Sequence, residues 1–143
     1  MRTKTTLFRA VALAALLSVF TVGSALADGF IASTSITLKV SPDKTVPAGT
    51  KITLSGKLQS DRAFCRNNSL LTLRAYGETQ DENDPGGVVD TTTTTSGGQY
   101  KFKVVVTEQI RFRVWFRGKV GGVHPDIKTC EKSRSKTVTI YVT

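Results

Sequence analysis

From residue 35 onward, apolar and polar side chains alternate with a period of two, the spacing that sends successive side chains to opposite faces of a strand. Ile36-Thr37-Leu38-Lys39-Val40 alternates until Ser41-Pro42-Asp43-Lys44 breaks it. Ile52-Thr53-Leu54-Ser55-Gly56-Lys57-Leu58 resumes after Pro47-Ala48-Gly49. Residues 71–76, 100–104 and 112–116 follow the same rhythm, and the β-branched runs 88–95 and 136–142 fit it. Between these runs lie turn signals. Residues 77–87 (GETQDENDPGG) combine three glycines, a proline and four acids, and Ser96-Gly97-Gly98 reads as a hairpin turn. A polar loop carries Cys65, and a glycine-rich loop from Gly118 carries His124 and Cys130. No stretch makes a convincing helix.

Seven short strands at fairly regular spacing predict an all-β fold, an immunoglobulin-like two-sheet sandwich of about seven antiparallel strands. The apolar side of each strand supplies the expected core: Leu38, Leu54, Leu73, Phe102, Phe112, Val114, Val138 and Ile140. At 143 residues and 39% hydrophobic, with neither repeat nor linker, the chain is expected to form one globular domain over 28–143.

Residues 1–27 read as a signal peptide. Arg2, Lys4 and Arg9 precede the apolar run 10–20 (AVALAALLSVF), and Ala25-Leu26-Ala27 offers small side chains for cleavage before Asp28. The alternative is an uncleaved anchor, since 10–27 almost spans a bilayer. No cysteine follows the apolar run for lipid attachment, and neither a paired-arginine motif nor a wall-sorting signal is present. The expected product is secreted, extracellular or associated with the cell wall, with no integral membrane segment after cleavage. Three of the twenty bases precede Asp28, so 17 bases face 11 acids beyond it, a net charge of +6. Such a balance favours acidic polysaccharide or headgroup surfaces, and equally serves solubility.

Cys65 and Cys130 admit one intramolecular pairing, and export makes oxidation available. The bridge would close a loop of about 65 residues, worth roughly 4 kcal/mol by loop entropy. The competing reading is a catalytic thiol, for which His124, the lone histidine, is the available base. In an immunoglobulin-like order, Cys65 falls between the second and third strands and Cys130 between the sixth and seventh. Those connections share one end of the sandwich.

The stretch Leu38-x-Val40-Ser41-Pro42, followed by Val46-x-x-Gly49-Thr50-x-Ile52-x-Leu54-x-Gly56-x-Leu58, resembles the opening of secreted bacterial Ig-like domains frequent in actinomycetes. Thr93-x-Thr95-x-x-Gly98-x-Tyr100-x-Phe102, Phe112-Arg113-x-x-Phe116-x-Gly118 and Cys130-x-x-Ser133-x-Ser135-x-x-Val138 resemble that family's later hairpin and strands. The resemblance implies the sandwich architecture and brings no catalytic residue. Ser96-Gly97 stands where the family usually has Asp, so a metal-stiffened turn is not implied.

If Phe112, Val114 and Phe116 point inward, then Arg111, Arg113, Trp115 and Arg117 form an outward row. Arg74 and Tyr76 would face the same way on one neighbouring strand, Thr139 and Tyr141 on the other. Such a basic, aromatic face can stack sugar rings or grip anions through arginine forks. Its alternative is a cross-strand ladder in which arginine stems cover the tryptophan. Asp81-Glu82-Asn83-Asp84 supplies oxygen ligands without the spacing of a calcium loop, and reads as a solvated loop. Asn67-Asn68-Ser69 matches a glycosylation pattern that matches often by chance. No phosphate-cradling loop, nucleic-acid module or paired catalytic carboxylates emerge, so no nucleic-acid partner, cofactor or metal is expected. The expected function is a non-enzymatic surface or structural module binding envelope polysaccharide, another surface protein or an anionic surface. The alternative is a small-molecule carrier with a pocket near Phe64 and Val123.

Overall fold

A computed structural model describes residues 29–143. The expected signal peptide and its cleavage point lie outside the described residues. In chain order the elements are β1 (Phe30–Ala32), β2 (Ser35–Ile36), β3 (Lys39–Ser41), β4 (Thr45–Val46), β5 (Thr50–Gln59), α1 (Ala63–Arg66), β6 (Leu70–Tyr76) and β7 (Gly87–Thr93). There follow β8 (Gln99–Val106), β9 (Ile110–Phe116), β10 (Lys119–Gly121), β11 (Lys128–Cys130), β12 (Ser133–Arg134) and β13 (Val138–Val142). The chain is all-β with several sheets, an arrangement consistent with a β-sandwich.

One sheet runs β4-β13-β9-β6-β7, with β12 also on β9. A second is built on β5, which carries β2 and β3 on one side and β8 on the other. Ile52, Leu54, Leu58, Phe102 and Val106 of the second sheet join Leu71, Leu73, Phe112, Val114, Phe116 and Ile140 of the first in one buried cluster. All eight core positions expected from alternation are buried. Each large aliphatic or aromatic side chain removed from water there contributes about 1.5–3 kcal/mol, which is what makes period two decisive.

The strands are more numerous than the seven expected: β5, β6, β8 and β9 run longer than their alternating stretches, and short strands are added around them, some set off where side chains interrupt the ladders. The expected strand 36–40 splits into β2 and β3 at Thr37. There the Lys57 N–H donates to Thr37 Oγ1 (2.9 Å), and the Tyr100 hydroxyl donates to the Thr37 carbonyl (2.5 Å). A Cβ on residue 56 would sit 2.0 Å from that carbonyl oxygen, so only glycine lets the chains approach this closely. Ahead of the expected last strand 136–142, an extra short strand β12 is set off from β13 at Ser135, whose Oγ accepts from the Val114 N–H (2.9 Å).

The expected loop from Gly118 to Cys130 holds two strands instead. β10 and β11 pair antiparallel, and β1 joins β11 in parallel to form a third, three-stranded sheet. Its inner side rests on Phe64 of α1. The Phe30 ring meets Phe64 edge-on at 6.2 Å, and a Cβ on residue 121 would lie 2.6 Å from the Phe64 ring. Lys119 Nζ donates to the carbonyls of Phe64 (2.9 Å) and Asn67 (2.8 Å), acceptors left open at the end of the short helix. Burial pushes this ammonium below the usual lysine range. The Cys65–Cys130 disulfide, Cα–Cα 5.6 Å, ties α1 to β11 beside these contacts. That bond removes the thiol a nucleophilic reading of either cysteine required.

Candidate functional site

The outward row of β9 begins where its inward row is buried. Phe112, Val114 and Phe116 enter the core, which turns Arg111, Arg113 and Trp115 to the opposite side. The register sets Thr72 of β6 beside Trp115, Arg74 beside Arg113 and Tyr76 beside Arg111. On the other side β12 sets Arg134 beside Trp115, and β13 sets Thr139 beside Arg111. The expected face is thus assembled in register, but a loop covers much of it.

Residues 77–86 fold back over this side of the sheet. Arg74 is buried, and its Nη1 donates to the Pro85 carbonyl (2.6 Å). Arg111 Nη2 donates to the carbonyls of Gly77 (2.8 Å) and Gln80. Arg113 donates to Ser135 (2.7 Å) and Glu82 (3.2 Å), again at carbonyl oxygens. Tyr76 is fully buried outside the central cluster, and its hydroxyl accepts from Trp115 Nε1 (2.9 Å). Gly86, with φ +61°, closes the cover; a Cβ there would meet the Tyr76 ring at 2.8 Å and the Ala75 carbonyl at 2.9 Å. The four acids of 77–86 remain exposed, and Asp81 Oδ1 accepts from the Asn83 main chain (2.9 Å) and side chain (3.1 Å).

Trp115 marks the limit of the covered region. It is half-buried, with one guanidinium from the strand on either side: Arg74 Cζ lies 4.9 Å from its ring and Arg134 Cζ 4.6 Å. These cation–π contacts hold both arginines against the indole. Arg74 is walled in, whereas Arg134 is exposed at the rim of a cleft of about 420 Å³ lined by Trp115, Phe116, Arg117, Lys132, Ser133 and Arg134. Arg117 and Lys132 are exposed too, one residue beyond the Phe116–Ser133 pair. No hydrogen bond within the described residues engages the charged groups of Arg117, Lys132 or Arg134, so the cleft presents three unneutralised cations. Ser133 is already engaged, its Oγ lying 2.6 Å from Thr34 Oγ1.

Of the residues expected to form the face, Trp115 and Arg117 line this cleft, while Arg74, Tyr76, Arg111 and Arg113 lie under or against the 77–86 cover. Tyr141 is exposed on β13, two residues beyond Thr139 and paired with Thr45 of β4. Lys132 and Arg134 were absent from the expected face. A period-two signal did exist for them, since Lys132, Arg134 and Lys136 alternate with Ser133 and Ser135.

The other sequence features are placed as follows. Asn67 Oδ1 accepts from the Gly97 N–H (2.9 Å), pinning the hairpin turn to α1, and the buried Ser69 donates to the Cys65 carbonyl (2.6 Å). His124 is exposed in the 122–127 loop. Phe64 is occupied by Phe30, Lys119 and Gly121, while Val123 is exposed at the far tip of the β10-β11 hairpin. Among the described residues no three histidine, cysteine or acidic side chains converge, and no helix is long and apolar enough to cross a membrane. No family model matches the chain, and no curated protein matches it.

Proposed function

We propose that the chain is an exported, non-enzymatic Ig-like module that binds an acidic polysaccharide of the cell envelope through the Trp115–Arg117–Lys132–Arg134 cleft. The single observation carrying this reading is the convergence of three exposed cations, with no hydrogen bond to their charged groups among the described residues, around one half-buried indole. Arg134 is held 4.6 Å from the ring centroid with no internal hydrogen bond to its N–H groups, which leaves them for carboxylate or phosphate oxygens. Two guanidinium groups already lie against the indole, so the cleft suits an anionic polymer better than stacking of a neutral sugar. The strand pairing β3-β5-β8 opposite β4-β13-β9-β6-β7 supports the immunoglobulin-like reading. The net charge of +6 beyond residue 27 and the disulfide support the exported one.

The test is binding to polygalacturonate, with dextran as the neutral control. Affinity for polygalacturonate falls as salt rises, and Arg117→Gln with Lys132→Gln lowers it by about tenfold or more. Equal, salt-insensitive binding to dextran, or full binding by the double variant, contradicts the proposal.

A further inference from the structure

The second sheet turns a lysine face to solvent on the side away from the core. Ile52, Leu54 and Phe102 point inward, which sends Lys51, Thr53, Ser55 and Lys57 of β5 and Lys101 and Lys103 of β8 outward. The register adds β3, setting Lys39 and Lys101 on either side of Ser55, and Ser41 and Lys103 on either side of Thr53. β3, β5 and β8 contain no acid at all. The five lysines are exposed, and among the described residues no hydrogen bond or ion pair engages their ammonium groups. Where 77–86 covers arginines of the first sheet, these cations stay open to solvent.

Lysines on outer strands guard a sheet against edge pairing, which accounts for Lys39, Lys101 and Lys103. Lys51 and Lys57 lie on the central strand, where that role does not arise. No two of the lysines are direct cross-strand partners, and small hydroxyl residues separate them. Ser55 lies in a depression of about 430 Å³ that Lys39, Lys57 and Lys101 also line. Thr53, the next outward residue along β5, has Lys103 beside it and Lys51 beyond it. Neither hydroxyl is engaged in a hydrogen bond among the described residues. The strand thus offers two anion seats about 6.8 Å apart, each a hydroxyl with ammonium groups around it.

The chemistry of the seats selects the anion. An ammonium is a point charge with rotatable donors, suited to the spread oxygens of a phosphate, whereas the fork that matches a planar carboxylate belongs to arginine. These three strands carry no arginine. Their aromatic residues, Tyr100 and Phe102, are buried, so nucleic-acid bases find no ring to stack on. Val105 is the one outward apolar side chain, too little to enter a bilayer. An extended glycerol phosphate repeat spans about 7 Å, the reach of two extended residues, and matches the seats. We infer that the Lys39–Lys57–Lys101 face binds a linear poly(glycerol phosphate) chain, with successive phosphodiesters over Ser55 and Thr53.

The face shares no residue with the Trp115 cleft, so the two readings stand or fall separately. Protein purified after expression of the full-length chain is titrated with poly(glycerol phosphate), duplex DNA, phosphatidylglycerol vesicles and polygalacturonate. It binds poly(glycerol phosphate) more tightly than DNA or vesicles, and affinity falls about tenfold or more as salt rises from about 50 to about 200 mM. Lys39→Gln with Lys101→Gln lowers that affinity by about tenfold and leaves polygalacturonate binding at the parent value. Lys44→Gln with Lys136→Gln removes the same charge from exposed positions off the sheet and retains it. Both pairs keep the parent thermal transition, because the substituted side chains face solvent. Absence of binding to poly(glycerol phosphate) overturns the inference, as does full binding by the Lys39–Lys101 variant. Equal losses from the two pairs reduce the effect to net charge and overturn it too. Tighter binding to DNA or to vesicles assigns the face to nucleic acid or lipid, and loss of polygalacturonate binding by the Lys39–Lys101 variant removes the distinction between the two sites; either result contradicts the inference. A failure of polygalacturonate to bind the parent removes the cleft reading alone.

Discussion

Two stretches of one surface, separated by a single tryptophan, put the same side chain to opposite uses. Beneath residues 77–86, Arg74, Arg111 and Arg113 each donate to main-chain carbonyls, and Arg74 is cut off from water. One strand pair further on, Arg117 and Arg134 face solvent with their donors open. Position on the alternating row does not decide between these uses; what lies above the row does. An arginine under a loop fastens that loop, and an arginine at a strand end, beyond the loop's reach, is available to a partner. The lesson is that a basic face read from strand periodicity is an upper bound on a binding surface.

The largest expected effect lies under the cover. Tyr76→Ala removes a fully buried ring and the acceptor for Trp115 Nε1, and lowers stability by about 3–4 kcal/mol in urea unfolding. A cost near zero means that the 77–86 cover does not pack on this ring. Next comes Arg74→Ala, which deprives the Pro85 carbonyl of its donor and uncovers one side of Trp115. It costs about 2 kcal/mol and speeds proteolytic cleavage within 77–86. Should Arg117→Ala cost as much, the division between fastening and free arginines fails, since an exposed side chain without partners changes stability by less than about 0.5 kcal/mol.

The sequence makes the interior legible because burial acts on every second residue and leaves a record at each. Leu38, Leu54, Leu73 and Phe102 could be assigned to the core without a structure, and all are buried. The cover was not legible. Residues 77–86 advertise their acids and glycines, which mark a solvated loop, and those acids are indeed exposed. The groups that capture Arg74 and Arg111 are carbonyls, which every residue carries and no composition reveals. The third sheet was hidden for a different reason. β1, β10 and β11 have three residues each, too few to establish a period, and β1 finds β11 almost a hundred positions later. Arg134 does share the alternation of Lys132, Arg134 and Lys136 with Ser133 and Ser135, but its place beside Trp115 comes only from the pairing of the two-residue β12 with β9.

The contrast between fastened and free guanidinium groups is tested most directly by two substitutions on one outward surface, Arg111→Gln and Arg134→Gln, compared for affinity to polygalacturonate at low salt. Arg111→Gln retains the parent affinity, because its donors already serve Gly77 and Gln80. Arg134→Gln, with an unchanged thermal transition, weakens binding by about tenfold. Equal losses from the two, or a loss confined to Arg111→Gln, would contradict the account.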